Sequence, residues 1–103
     1  EIRQRVKKCR EIQLQRQGKP NAQLASAEVR RFCQLSEEDN EFLELAVEKF
    51  GLSTRAHHKI LKISRTLADL EGDENIHRQQ LIEALSYRAM DRILRHLTEA
   101  VSV

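Results

Sequence analysis

One stretch constrains the fold more than any other, because it predicts a long helix with a recognisable signal at each end. It runs from Thr54 to Glu71, after Ser53, which can cap a helix N-terminus, and before Gly72, which suits a left-handed C-terminal cap. The apolar face comprises Ala56, Ile60, Leu61, Ile63, Ser64, Leu67, Ala68 and Leu70, and the polar arc comprises Arg55, His58, Lys59, Lys62, Arg65, Thr66 and Asp69. A face this broad predicts a central helix that is covered on two sides.

Further helices are predicted before and after this central helix. They run from Ile2 to about Gly18, from Ala27 to Cys33 with Ser26 as the cap, from Glu37 to Phe50, and from about His77 to Thr98. Pro20 prevents the first helix from continuing, a capping box begins at Ser36, and Gly51 ends the third helix. Ile76 is expected to be buried below the turn before the last helix. With only 3 Gly, 1 Pro and 4% aromatic residues, the composition also favours helices over strands.

The predicted fold is therefore all-α, a compact bundle of four to five helices that forms one domain over residues 1–99. The last residues, 100–103, are expected to fray, and a bend near Met90 and Asp91 is left open. The expected core comprises Ile60, Ile63, Leu67 and Leu70 with Phe42, Val47, Phe50, Leu81 and Leu85. Inward-facing residues are also expected from the second helix (Val29, Phe32, Cys33), and an apolar stripe is expected on the first (Ile2, Val6, Cys9, Ile12). Because the helical pattern begins at once after Glu1, the chain is expected to be a piece of a larger protein.

Charge is distributed unevenly along the chain although the formal net charge is only +2. Residues 1–19 carry seven basic and two acidic side chains, and residues 20–50 carry three basic and seven acidic ones. A basic helix can meet nucleic-acid phosphates, and Arg3, Lys7, Lys8 and Arg10 are the candidates for that contact. A solvated face is the commoner reason for a run of charge, and this helix lacks aromatic residues to stack on bases. A stand-alone helical DNA-binding module thus stays open as an alternative function.

The 4 His and 2 Cys residues raise the question of a metal site. The sequence has neither a CxxC nor an HxxxH motif, and the adjacent His57 and His58 point to different sides of a helix, so no metal site is expected. His57 is expected to be a hydrogen-bonded residue at the edge of the core. Cys9 and Cys33 are expected to be reduced thiols in or near the core, since no secretory signal and no apolar run near transmembrane length is visible. These features favour a cytoplasmic protein without membrane contact.

No complete active site is visible in the sequence. It contains no GxxxxGK[ST] loop for phosphates, and no spacing suggests a Ser/His/Asp arrangement. The side chain that stands out is Arg55, a cation in the first turn of the central helix. The N-terminus of a helix is already positive, so a cation placed there is suited to meeting an external anion. From spacing alone, an ordinary surface arginine is the commoner explanation.

Several segments together are similar to one protein family. Two of them are Leu52-Ser53-Thr54-Arg55-Ala56-His57-His58-Lys59-Ile60-Leu61-Lys62 and Arg65-Thr66-Leu67-Ala68-Asp69-Leu70-Glu71-Gly72. The others are Arg5-Val6, Cys9-Arg10, Gln13 and Arg16 in the first helix, Asn21-Ala22 after it, and Glu83-Ala84-Leu85-Ser86-Tyr87-Arg88 near the end. Together these segments resemble the C-terminal helical domain of magnesium-chelatase-like AAA+ ATPases of the ComM (YifB) type, and they cover residues 1 to about 92 in the order expected for that family. The sequence departs from that family at Cys9 and Ser64, where Ala is usual.

The resemblance implies a lid domain that follows the nucleotide-binding core of a ring-forming, hexameric bacterial ATPase. Arg55 matches the sensor 2 arginine of such lids, which reaches the γ-phosphate of ATP. The implied cofactor is ATP with Mg²⁺ in the parent protein, and none in the isolated chain. The implied partners are the parent's own core domain, the neighbouring subunits of the ring and DNA, on which such motors promote branch migration during recombination. The chain alone is not expected to hydrolyse ATP, because it lacks a phosphate-cradling loop and a pair of magnesium-holding carboxylates.

Overall fold

The computed structural model describes residues 2–87, which form five α-helices and one short 3₁₀ helix and contain no strand. In order, these are α1 (Ile2–Gln17), the 3₁₀ helix (Asn21–Gln23), α2 (Ser26–Phe32), α3 (Glu37–Phe50), α4 (Thr54–Glu71) and α5, which is described over residues 78–87. The prediction of an all-α fold is confirmed. The bend near residues 90 and 91 that was left open, the part of the predicted last helix beyond residue 87 and the expected fraying of residues 100–103 concern residues outside the described ones.

The ends of α3 and α4 lie where the local sequence signals predict them. The hydroxyl oxygens of Ser36 and Ser53 each accept a hydrogen bond, at 3.2 Å in both cases, from the backbone N–H three residues further on. Both helices end at a glycine in the left-handed conformation, Gly51 with φ of 61° and Gly72 with φ of 76°. A residue with a Cβ atom is strained in that conformation, so glycine at these two positions stops each helix at a defined residue.

Helix α2 begins one residue earlier than predicted. Ser26 was expected to be the N-cap of a helix that runs from Ala27 to Cys33, but it is the first helical residue, and the helix ends at Phe32. The reason is the side chain of Glu28, whose carboxylate accepts a hydrogen bond of 2.9 Å from the backbone N–H of Ala25. That bond satisfies the free N–H group before the helix, and the hydroxyl of Ser26 is not needed as a cap.

Helix α4 is the centre of the bundle, because α1, the 3₁₀ helix and α2 all pack against it. The buried apolar cluster comprises Leu24, Val29, Cys33, Leu43, Ile60, Ala68, Ile76, Leu81 and Ala84. Partly buried residues that pack against this cluster include Phe32, Val47, Ile63, Leu67 and Leu85. The predicted core is therefore confirmed at Ile60 and Leu81, and Ile76 is buried as expected.

Two residues of the predicted core lie at the surface. The side chain of Phe50 is 57% exposed and that of Leu70 is 37% exposed, since both stand in the last turn of a helix, beyond the elements that cover the middle. Phe42 is half-buried instead of buried. The guanidinium of Arg78 lies 4.7 Å from the centre of its ring, and Arg78 Nε donates to Asp39 Oδ1 at 2.9 Å. These contacts connect α5 to the first turns of α3.

The apolar stripe predicted on α1 is only partly used in packing. Cys9 is buried, but Ile2 is 80% exposed and Val6 is also exposed. The next residue on the inward face is the amide Gln13, which is buried, and Ile12 is half-buried. Helix α1 is therefore attached to the bundle by its second half, and its first two turns extend past the covered region.

Candidate functional site

Arg55 stands in the first turn of α4, as predicted, and its side chain is exposed. Within residues 2–87 no carboxylate or backbone oxygen accepts a hydrogen bond from it, and it takes part in no ion pair. The N-cap Ser53 holds the helix end in place just before it. The result is an unneutralised guanidinium at the positive end of a well-fixed helix.

A groove of about 830 Å³ opens beside Arg55, between the start of α4 and the segment that links α1 to α2. Arg55, His58, Lys59 and Lys62 line it, and no acidic side chain does so among the described residues. Its other lining residues are small, apolar or hydroxyl-bearing: Ala22, Leu24, Ala25, Ser26, Val29, Thr54, Ile63, Thr66 and Leu67. The groove can therefore receive an anionic group at its cationic edge while an apolar part of the ligand lies on its floor.

His57 directly precedes the groove-lining residue His58 in α4. His57 is half-buried, and among residues 2–87 its Nε2 atom has no hydrogen-bond partner, so the expectation of a hydrogen-bonded histidine is not met at that atom. Burial lowers the pKa of His57, the neighbouring His58 lowers it further, and Glu44 acts in the opposite direction. His57 is accordingly neutral near pH 7.

Within the described part of the chain, no group of three or more His, Cys, Asp or Glu side chains could hold a metal ion.

A buried polar cluster at the other end of α4 corrects the predicted polar arc of that helix. Arg65 and Asp69 were assigned to the polar arc, yet both are buried. Arg16 of α1 makes a two-pronged contact with the Asp69 carboxylate, at 2.8 and 3.0 Å, and Asn21 donates to Asp69 Oδ2 at 3.0 Å. Arg65, one turn before Asp69, lies 3.2 Å from Asp69 Oδ1. The carboxylate thus joins α1, the 3₁₀ helix and α4.

The charge state of Asp69 follows from these contacts. Burial acts to raise its pKa, but the hydrogen bonds from Arg16 and Asn21 and the charge of Arg65 outweigh burial and hold the pKa below the ordinary value of 3.8. Arg65 also donates to the backbone oxygens of Asp73, at 2.8 Å, and Glu74, at 2.9 Å. The cluster therefore fixes the turn after α4 as well as the helix itself.

One sequence feature indicates this cluster, although helical periodicity alone does not reveal it. Arg65 and Asp69 are four residues apart, which is the spacing of an ion pair on one helix face. Their neighbours Ser64 and Ala68 are small, so another element can approach closely enough to cover the pair. Arg16 and Asn21 belong to the segments that carry the family resemblance, yet nothing in the spacing shows that they reach α4.

The cysteines lie in the interior, as predicted, and both are free thiols. Cys9 Sγ accepts a hydrogen bond of 3.1 Å from the amide of Gln13, whose oxygen accepts from the backbone N–H of Asn21 at 3.0 Å. Burial raises the pKa of Cys9, and it raises the pKa of Cys33 to about 11. Neither thiol has the low pKa of a nucleophilic cysteine.

The basic residues of α1 that were candidates for nucleic-acid contact are all exposed: Arg3, Lys7, Lys8 and Arg10. No acidic side chain within residues 2–87 pairs with any of them. Lys8 lies near Gly72, at the C-terminal end of α4. Since a helix of 18 residues is about 27 Å long, the structure does not bring this basic surface together with Arg55.

Comparisons with known proteins give the chain its family. Residues 1–88 match the family model for the C-terminal part of the magnesium chelatase subunit ChlI. The chain is 53% identical over 98 residues to competence protein ComM of Haemophilus influenzae, a match that covers 95% of this chain and 19% of ComM. It is 48% identical over 101 residues to the uncharacterized protein YifB of Escherichia coli, covering 98% of this chain and 20% of YifB. It is 43% identical over 101 residues to YifB of Salmonella typhimurium.

The chain spans about a fifth of the length of these relatives. No helix within residues 2–87 combines the length and the apolar character needed to cross a membrane. The family match covers α1 to α5, including Arg55, the groove and the buried cluster around Asp69. The chain therefore belongs to the magnesium chelatase ChlI C-terminal family, in the form found in ComM and YifB proteins.

Proposed function

We propose that this chain is the lid of a ring-forming AAA+ ATPase and that Arg55 is its sensor 2 residue, which contacts the γ-phosphate of ATP. The supporting observation is the exposed guanidinium in the first turn of α4, without a partner among residues 2–87 and at the edge of a groove lined by cations. Arg55 lies where the helix dipole itself favours an anion.

The choice of arginine fits the contact with a phosphate. A guanidinium keeps its charge at all ordinary pH values and presents its N–H groups in a planar fork that matches phosphate oxygens. As the γ-phosphoryl group leaves, negative charge spreads over its oxygens, and a fixed cation stabilises that charge. Because Ser53 and Gly72 define the two ends of α4, movement of the whole lid would carry Arg55 with it.

The parent protein, in this proposal, binds ATP with Mg²⁺ in a core domain that lies outside this chain. The lid moves against that core as ATP is hydrolysed, and six subunits form a ring. DNA is the proposed substrate of the motor, with branch migration during recombination as the activity. The name of the Haemophilus influenzae relative, a competence protein, supports this choice.

The test is Arg55→Ala in the full-length parent. ATP turnover is expected to fall by roughly 10- to 1000-fold, as when a single charge-stabilising donor is removed from an active site. In the 103-residue chain the same substitution is expected to change the free energy of unfolding by less than about 0.5 kcal/mol, because the side chain is exposed.

Arg30 provides a matched control, since it is an exposed arginine of α2 with no ion pair within the described residues. Arg30→Ala is expected to leave ATP turnover unchanged. Arg55→Lys keeps the charge but loses the planar fork, and an intermediate loss is expected. Normal ATP turnover in Arg55→Ala would show that the lid senses nucleotide elsewhere, and strong destabilisation of the chain by this substitution would show that Arg55 has a structural role.

A further inference from the structure

Helix α3 carries a stripe of unneutralised carboxylates on its outer side. Glu37, Glu41, Glu44 and Glu48 follow one another at intervals of four, three and four residues, which places them on one helix face, and all four are exposed. No lysine or arginine within residues 2–87 forms an ion pair with any of them. Like charges four residues apart destabilise a helix. We refer to these four residues as the acidic stripe.

Helix α1 carries a row of the opposite charge with the same spacing. Arg3, Lys7 and Arg10 are separated by four and three residues, and Leu14 continues the row after four more. All four side chains are exposed. We refer to them as the basic stripe. Each stripe spans 12 residues, or about 16 Å along its helix axis.

The two stripes do not neutralise each other within one copy of the chain. Among the described residues no ion pair joins α1 to α3, and the second half of α1 packs against α4. Exposed leucines accompany both rows, Leu14 at the end of the basic stripe and Leu45 beside the acidic stripe. Each helix therefore presents charge of one sign together with an apolar side chain that could be buried in a contact.

We propose that the basic stripe of one copy of this chain docks along the acidic stripe of a second copy. The contact is head-to-tail, because it uses a different surface on each copy, and contacts of this kind generate rings or filaments. One interface accounts for both uncompensated rows, the equal spacing of their charges and the exposed leucines. This inference goes beyond the proposed role of Arg55, which lies elsewhere on the molecule and is not used in it.

A second copy fits these observations better than a nucleic acid does. Phosphates would neutralise the basic stripe but would leave the acidic stripe unexplained, and the latter would repel them. Helix α1 also has no aromatic residue on which a base could stack. A contact between two helices buries less surface than a typical stable interface, so the association is expected to be weak and strongly weakened by salt.

The first measurement is sedimentation equilibrium of the 103-residue chain over a range of concentrations. Self-association is expected at about 50 mM salt and is expected to decrease sharply at about 500 mM, where the Debye length is much shorter. A chain that remains monomeric at low salt, up to the highest concentration that stays soluble, would overturn the proposal.

Charge reversals identify the surfaces. The basic-stripe variant (Lys7→Glu with Arg10→Glu) and the acidic-stripe variant (Glu41→Lys with Glu44→Lys) should each weaken self-association by about tenfold or more, because attractive contacts become repulsive. A control variant, Arg30→Glu with Arg31→Glu on exposed positions of α2, changes the net charge as much as the basic-stripe variant does. It is expected to associate like the unmodified chain. Far-UV circular dichroism should show that all three fold.

Mixing the variants tests whether the two stripes meet each other. The basic-stripe and acidic-stripe variants together should form a mixed complex, because each keeps the native stripe that the other has lost and their reversed stripes are complementary as well. Each of the two variants alone should associate at least about tenfold more weakly than this mixture. A mixture that associates no more strongly than the two variants alone would overturn the proposal. So would a basic-stripe variant that self-associates normally but no longer binds duplex DNA, because the stripe would then be a nucleic-acid surface.

Discussion

Asp69 is the residue on which three parts of the chain converge. Its carboxylate accepts from Arg16 and Asn21 and lies beside Arg65, and nearly all of its surface is removed from water. The helical wheel assigned Asp69 to the polar arc, because a wheel records polarity and not the partners that other elements supply. Buried charge is stable only when such partners are present, so this cluster depends on contacts between residues far apart in sequence.

Replacing Asp69 with Asn tests how much the cluster contributes. The amide keeps the size of the side chain but removes the negative charge, which leaves Arg16 and Arg65 without their counter-ion. We expect the free energy of unfolding to fall by about 3–5 kcal/mol. Urea denaturation followed by circular dichroism measures it. Glu48→Gln, the same change at an exposed carboxylate, should cost less than about 0.5 kcal/mol. Similar values for both variants would mean that the cluster does not stabilise the fold.

The Asp69→Asn substitution should also change how the stability of the chain depends on pH. The pKa of Asp69 is lower in the folded chain than its ordinary value of 3.8, so the stabilisation is fully present above pH 3.8. It is lost as the pH falls below that value and through the folded pKa. Unfolding measured between about pH 7 and pH 3 should therefore show an acid-dependent loss that is smaller in Asp69→Asn. Identical pH profiles would contradict this origin of acid sensitivity.

At the scale of the helices, the sequence predicts where a helix begins and ends better than it predicts which of its residues are buried. Ser53 and Gly72 act on backbone groups within a few residues, so their roles can be inferred from local sequence alone. Phe50 and Leu70 continue the apolar pattern of their helices correctly but are exposed, because periodicity does not reveal where the covering elements stop. Gln13 shows the reverse, an amide on the inward face whose partner is the backbone of Asn21.

Helix α4 allows a direct comparison of two large apolar residues. Ile60 is fully buried and Leu70 is partly exposed, so Ile60→Ala should cost roughly 2–5 kcal/mol and Leu70→Ala roughly 1 kcal/mol or less. Ile63, which was also expected in the core, is only half-buried, so the loss in Ile63→Ala should fall between the other two. Chemical denaturation of the three variants gives the order. A larger loss for Leu70→Ala than for Ile60→Ala would mean that the packing of α4 is wrongly assigned.

At the scale of the whole molecule, the two ends of α4 have different surroundings. The Asp69 cluster fastens its last turns to α1 and to the following turn, while the first turn presents Arg55 to an open groove. The sequence singled out Arg55 because of its position relative to the helix dipole and because of the family resemblance. The sequence could not show which groups face Arg55 in a longer protein, since the chain spans only about a fifth of the length of its relatives.

Because both thiols are buried, their reaction with an alkylating reagent measures how readily the bundle opens. At pH 7 a thiol with the pKa of Cys33, about 11, is ionised in roughly one molecule in ten thousand, and only the thiolate is alkylated quickly. Iodoacetamide should leave Cys9 and Cys33 unmodified in the native chain for hours, while Glu48→Cys, an exposed control, reacts promptly. With rising urea the two native cysteines should become reactive together, at the rate at which the bundle unfolds. Reaction of Cys9 well before Cys33 would instead reveal that α1 detaches by itself, releasing α4 at the end where it is now held.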